Sequence, residues 1–277
     1  MRIITRPNIT LISEPTFIEH PDYKIPSDGT DATKIGAFAA KGCYDSYGVN
    51  GRLNEANQLA LLEHRHGSVL EHINIGLFIE GITRGLSLEL NRHRSFAISQ
   101  RSTRYTAEED SCLVLEPYFA LLWVKYHCTW DTTLECVVPN NMEATLNSEE
   151  IKELSLIKSH VESQYHAVDQ YTRQVEMLDE LNPNNLEGFD LRKWSRGKAR
   201  NVLPHGLETR GTWTNNVRGW RWFIESRSDK HAEPEIRRLA VAVCSLLRTK
   251  WPVYFDDFDV TEIYDNIPVL VPRYNKV

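Results

Sequence analysis

Four arginines, a histidine and several hydroxyls fall within the fourteen residues Arg92-His93-Arg94-Ser95-Phe96-Ala97-Ile98-Ser99-Gln100-Arg101-Ser102-Thr103-Arg104-Tyr105, with no carboxylate among them. The whole chain carries a formal net charge of -6, so this is a local reversal of sign. Guanidinium groups are planar, permanently charged and bidentate, suited to phosphate and to negative charge developing in a planar ring. Gathered against their own repulsion, they call for an anionic ligand. A second basic stretch runs from Lys198 to His231. It contains Ala199-Arg200-Asn201-Val202-Leu203-Pro204, Glu208-Thr209-Arg210, Asn216-Val217-Arg218 and Arg227-Ser228-Asp229-Lys230-His231.

Hydrophobic periodicity predicts the elements that must position these residues. Helices are expected over 31–44 and 54–65, the second opened by Asn54. Ile73, Ile75, Leu77 and Ile79 alternate as in a half-buried strand over 72–82. From Thr83, with Leu86 and Leu90 four apart, a helix runs into Arg92 and delivers the basic cluster at its C-terminal end, where the dipole favours cations. Residues 112–115 read as another strand, whereas 117–146 has no clear assignment.

The strongest helical stripe joins Ile151, Leu154, Ile157, Val161, Tyr165, Val168, Tyr171, Val175 and Leu178. Asn147 or Ser148 caps it and Asn182-Pro183 stops it. Such a helix is about 45 Å long, more than a compact monomer needs, which points to packing between subunits. Further helices are expected over 191–202, 216–227 and from Pro234 to Lys250. On the 216–227 helix, Val217, Trp220 and Ile224 form the buried side while Arg218, Arg221 and Glu225 project elsewhere. Trp213, Trp220 and Trp222 read as core, and Asp256-Asp257-Phe258-Asp259 as a solvated acidic turn. No repeat or linker divides the chain, so the expectation is one α+β domain.

At 277 residues, 41% hydrophobic and 25% charged, the composition is that of an ordinary globular protein. An isoelectric point near 5.9 argues against duplex nucleic acid as the main partner. Residues 1–15 lack the apolar core of a signal peptide, and the longest apolar run, 118–124, is too short to span a bilayer. Five scattered cysteines without a CxxC pair fit reduced thiols, so the cytoplasm is the expected compartment and no membrane is involved. His64, His66 and His72 lack zinc spacing, so no metal is expected. Neither GxGxxG nor a P-loop occurs. Taken alone, the 92–105 cluster reads as a solvated helix end or as the basic patch of a single-stranded nucleic-acid-binding protein.

The two basic stretches together resemble the flavin-dependent thymidylate synthases. Arg92-His93-Arg94, seven residues and Ser102 match that family's signature, which continues through Arg104 and Tyr105. The ARxxLP run at 199–204, the Thr-Arg pair, Asn-x-Arg at 216–218 and Arg-x-x-x-His at 227–231 follow in the family's order. Upstream, His66-Gly67-Ser68-Val69-Leu70-Glu71-His72 is similar to its His-x-Ser-x-x-Glu-His segment. The resemblance covers roughly residues 30 to 250. Ala97, Ser99 and Gln100 stand where many members carry Ser, Asn and Glu, and Trp222 where a flavin-contacting asparagine is common.

The resemblance implies one α+β domain over 1–277 with a central, mostly antiparallel sheet and long helices, assembled as a homotetramer with sites at subunit contacts. Residues 117–146 would then be an insertion. The implied reaction is reductive methylation of dUMP to dTMP, with methylenetetrahydrofolate giving the carbon and NADPH-reduced FAD the hydride. A related possibility is transfer of another one-carbon unit, such as hydroxymethyl, to a pyrimidine nucleotide. Arg227 and Ser102 are the implied catalytic positions. A serine flanked by arginines has no base beside it, so Ser102 reads as a binding hydroxyl before it reads as a nucleophile. Implied dUMP contacts are Glu89, Leu90, Asn91, Arg92, Gln100, Arg101, Ser102, Thr103, Arg104, Arg200 and Arg227. Implied FAD contacts are His66, Ser68, Arg92, His93, Arg94, Gln100, Asn216, Val217, Arg218 and His231.

Overall fold

In the computed structural model, which describes residues 2–108, 111–140 and 146–277, strands and helices are interspersed along the described residues. Strands β1 (Ile3–Ile4) and β2 (Asn8–Ser13) precede helix α1 (Asp31–Gly42), where the Thr30 hydroxyl accepts from the Thr33 amide as N-cap. Helix α2 (Asn54–Glu63) follows, started by Asp28 rather than Asn54: the Asp28 carboxylate accepts from the amides of residues 54 and 55. Then come β3 (Asn74–Thr83), α3 (Arg84–Leu90), β4 (Ala97–Gln100) and β5 (Leu113–Val114).

The stretch without an assignment in sequence forms α4 (Pro117–Lys125) and a hairpin of β6 (Cys128–Asp131) with β7 (Cys136–Pro139); its residues 141–145 lie outside the described ones. Leu122, Tyr126, Cys128 and Val137 bury against Ile157 and Val161 of α5 (Ser148–Leu181). The cap, expected at Asn147 or Ser148, is Asn147 and forms a capping box, with Glu150 returning to the Asn147 amide at 2.9 Å. At 34 residues α5 is about 51 Å long. After α6 (Gly188–Ala199) come β8 (Glu208–Asn216), α7 (Val217–Arg227), α8 (Pro234–Lys250), α9 (Pro252–Phe255) and a hairpin of β9 (Phe258–Tyr264) with β10 (Ile267–Pro272).

One sheet has the order β2-β3-β8-β4, β6/β7 and β9/β10 pair antiparallel, and β1 pairs parallel with β5. Contacts divide the chain into two compact units: residues 1–8, 80–88 and 100–211 in the first, and 9–79, 89–99 and 212–277 in the second. Among the described residues no helix is long and apolar enough to cross a membrane.

Three expectations fail in the second unit, at Asp257, Arg221 and Trp222. Asp257 is not part of a solvated turn but is 5% exposed, and Phe258 beside it is 1% exposed. Arg221, expected on a polar face, is 3% exposed and forks onto Asp257 at 2.6 and 2.8 Å, with the Tyr254 and Tyr274 carbonyls also accepting from it. A run of acidic residues looks solvated in sequence because its partner sits 36 residues away. Trp213 and Trp220 are core as expected, but Trp222 is 53% exposed.

Breaking a buried ion pair on one side leaves an uncompensated charge, a cost of about 3–5 kcal/mol. Asp257→Ala is therefore expected to lower the denaturation midpoint strongly, with Asp257→Asn retaining more stability; unchanged denaturation curves for both would refute the anchoring role of this pair.

Candidate active site

In the second unit, α3 ends at Leu90 and two tight turns follow, the Arg92 amide donating to Glu89 O and the His93 amide to Leu90 O. The helix thus stops just before the basic cluster, and His93 turns toward the end of α7. Arg227 Nε–H donates to His93 Nε2 at 2.8 Å, and its Nη1 lies 3.4 Å from Glu89. An arginine can only donate, so His93 must accept at Nε2, which places its remaining proton on Nδ1. The imidazole packs edge-on against Phe223 and Phe96, with ring centroids 5.4 and 6.0 Å apart. Burial, and then the Arg227 charge, push its pKa down from 6.5 to about 4. A neutral imidazole and a carboxylate therefore aim one charged guanidinium.

Arg92 and Arg94 have exposed side chains with no ion pair among the described residues. Two such guanidiniums fit a polyanion such as the diphosphate of FAD, and the donor chemistry of this unit is compatible with that cofactor. His66 and Ser68 are exposed at a 3-10 turn spanning Gly67–His72. Arg218 is already paired, with Glu71 Oε1 at 2.5 Å. Asn216 Oδ1 caps α7 by accepting from Gly219 N at 2.8 Å, leaving the amide nitrogen as its available donor.

Two implied contacts need correction. Val217 is 0% exposed and its N–H is donated to Ile73 O, so it has neither side chain nor amide to offer a flavin. Leu90 is likewise 0% exposed and serves as core, not as a nucleotide-facing side chain. The amide oxygen of Asn91 accepts from Trp213 Nε1 at 3.3 Å. Arg227, His231 and Trp222 line a cavity of about 520 Å³ whose far wall is β10, from Leu270 to Pro272.

The first unit holds the remaining candidates. Gln100 Nε2 donates to Ser87 and Thr209 hydroxyls at 2.9 and 3.1 Å, so its side chain is anchored in protein. Ser102 Oγ accepts from the Arg104 amide at 3.3 Å, and Ser102 O accepts from the amides of Tyr105 and Thr106, forming a tight turn. Among the described residues no carboxylate or imidazole lies within hydrogen-bonding distance of Ser102 Oγ. Arg104 and Arg200 are exposed without ion pairs among the described residues, and Thr103 is 8% exposed. Arg101 differs from these neighbours: it is bound to Glu108 at 3.0 Å and to Glu208 at 3.7 Å.

Sequence reasoning missed Glu71 in the second unit, which pairs with Arg218, and Glu108, Glu208 and Arg84 in the first, which surround Arg101. Glu71 stood inside a matched segment and Glu208 directly beside the matched Thr-Arg pair, and that adjacency was the available signal.

The His93–Arg227 contact makes a prediction with a definite sign. Because the folded pKa is depressed, the neutral imidazole's contribution to stability is whole above pH 6.5 and is lost as pH falls toward 4. A proton NMR titration should place the His93 midpoint near 4; a midpoint near 6.5 would mean that the contact is not formed.

The family model described as thymidylate synthase complementing protein matches residues 27–253. A protein named flavin-dependent thymidylate synthase from Mycobacteroides abscessus is 32% identical over 266 residues, covering 95% of this chain and 94% of its own. Proteins of the same name from Mycobacterium tuberculosis and Mycobacterium leprae are 32% identical over 264 and 271 residues, covering 94% of this chain and 93% of their own. Nothing in these matches supports a nucleic-acid-binding reading. With the guanidiniums of both basic stretches placed and the likeness running along nearly the whole chain, the protein belongs to the flavin-dependent thymidylate synthase family.

Proposed function

We propose that this chain converts dUMP to dTMP by reductive methylation, with methylenetetrahydrofolate as carbon donor and NADPH as reductant of bound FAD. The observation that carries the reading is the guanidinium of Arg227, fixed by a neutral imidazole at 2.8 Å and by Glu89 at 3.4 Å. Uracil C5 becomes nucleophilic when negative charge is stabilised at the N3/O4 edge of the ring. Arg227 supplies that stabilisation from a preorganised position, needing no reorganisation as charge develops. His93 and Glu89 hold its orientation.

Arg104, Arg200 and the hydroxyls of Ser102 and Thr103 hold the nucleotide phosphate, with charge-assisted and bidentate bonds from the arginines. Ser102 acts as a binding hydroxyl; its Oγ accepts from the Arg104 amide, and among the described residues no carboxylate or imidazole stands beside it to take its proton. Arg92 and Arg94 hold the FAD diphosphate, with Arg218 set in place by Glu71. His66, Ser68, Asn216 and His231 complete the flavin contacts. Bound FAD supplies the hydride that completes the methyl group.

The functional unit is a single domain over residues 1–277, working as a homotetramer in the cytoplasm with active sites shared between subunits. The length of α5, at 34 residues, supports subunit packing. Neither nucleic acid nor a membrane is a partner in this scheme.

Arg227→Ala is expected to reduce dTMP formation by about 10²–10³-fold or more, as for loss of a preorganised charge-stabilising donor. Its visible flavin absorption should persist. Ser102→Ala should keep measurable turnover. Wild-type turnover in Arg227→Ala would overturn the role of that residue, and complete loss in Ser102→Ala with normal dUMP and FAD binding would restore the nucleophile.

A further inference from the structure

We propose that Arg101 does not bind phosphate but is a positioning residue, clamped by Glu108 and Glu208 so that the loop from 101 to 108 presents Ser102, Thr103 and Arg104 in one fixed geometry. The inference rests on the phosphate-binding role given above to that turn. It assigns work to two carboxylates and an arginine that the reaction itself leaves unused.

Charge accounting within the first unit supports it. Four ionised groups meet there: the side chains of Glu108 and Glu208 are 0% and 5% exposed, and those of Arg101 and Arg84 are 14% and 23% exposed. Arg101 lies 3.0 Å from Glu108 and 3.7 Å from Glu208, while Arg84 stands 4.0 Å from Glu108. Arg101 itself faces two carboxylates, Glu108 and Glu208, so its charge is matched inside the protein. Its neighbours Arg104 and Arg200 keep theirs, being exposed and without ion pairs among the described residues.

The hydrogen bonds add geometry to the charge balance. Arg101 Nη2 donates to Ala107 O at 3.0 Å and forms an ion pair with Glu108, so one guanidinium closes the loop between its first residue and its last two. The Arg101 amide donates to Arg210 O at 2.9 Å, and Arg101 O accepts from Arg84 Nη2 at 3.1 Å. Residue 101 is thereby fixed at backbone and side chain, and the next three residues inherit that position. The Ser111 hydroxyl donates to Glu108 Oε2 and orients it. Glu208 Oε1 accepts from the Gly81 amide at 3.2 Å, at a glycine whose φ of +68° disfavours a side chain.

Burial supports a coupled unit. It pushes the Glu108 carboxyl above its usual range and the Arg84 guanidinium below its own, so each ion depends on its partners to remain charged. Removing one carboxylate leaves a buried guanidinium undercompensated, and the loop relaxes.

The test is Glu108→Gln in the full-length flavin-loaded enzyme, measuring dissociation constants for dUMP and for deoxyuridine, which lacks the phosphate. A displacement of the turn by about 1 Å should weaken dUMP binding tenfold or more. The preference for dUMP over deoxyuridine should fall by the same factor, with FAD affinity unchanged and Glu108→Asp restoring part of the preference. Ser111→Ala, a milder change, should move the ratio in the same direction. It serves as the deciding variant if Glu108→Gln does not fold.

Arg104→Ala run in parallel separates the two layers of the argument. If Arg104→Ala abolishes the preference for dUMP and the Glu108 and Ser111 variants leave it intact, the positioning role is overturned. The same holds if those variants weaken dUMP and deoxyuridine equally. If Arg104→Ala itself leaves the preference unchanged, the phosphate assignment of the turn fails and the proposal fails with it.

Discussion

The contact between His93 and Arg227 is the constraint on which the reading of this molecule depends. A guanidinium on a flexible side chain is a poor catalyst, because much of its interaction energy goes into choosing a conformation. Here an imidazole kept neutral by burial accepts from Nε, and Glu89 faces Nη1. A protonated His93 would repel Arg227, so burial of the ring against Phe96 and Phe223 is part of the electrostatic design. The turns that follow α3, Phe96 and the aromatic face of α7 all serve that one arrangement.

The arginines divide by what surrounds them. Arg92, Arg94, Arg104 and Arg200 are exposed and have no ion pair among the described residues, whereas Arg101, Arg221 and Arg237 are spent inside the protein on carboxylates and carbonyls. Composition alone cannot distinguish the two groups. Spacing along the chain does not help either, because Glu208 and Asp257, which pair with Arg101 and Arg221, come from distant segments. The tertiary fold decides which cations stay exposed and which are spent on protein partners.

Much of the helical frame was legible because helices carry their instructions locally. Asn147 with Glu150, Pro234 and the apolar stripe of α5 mark ends and faces within a few residues. Strand β8 escaped notice because its buried positions include Glu208, Thr209, Gly211 and Asn215, which supply no apolar alternation. The α4 and β6–β7 segment was illegible for a different reason: its stability comes from packing on α5, not from a pattern of its own. The active-site motifs were readable as residue types, yet the partners of Arg101, Arg218 and Arg227 were not. His93 and Arg227 stand 134 residues apart, and no local rule pairs them.

The central claim is that these guanidiniums organise a flavin-dependent methylation of dUMP. The most direct measurement reduces the purified, flavin-loaded protein anaerobically with NADPH, then adds dUMP and methylenetetrahydrofolate while following the oxidised-flavin band and dTMP. The account predicts that the band returns with dTMP formed in equal amount, and only when both substrates are present. A protein that binds no flavin, or a flavin that reoxidises without forming dTMP, would contradict it.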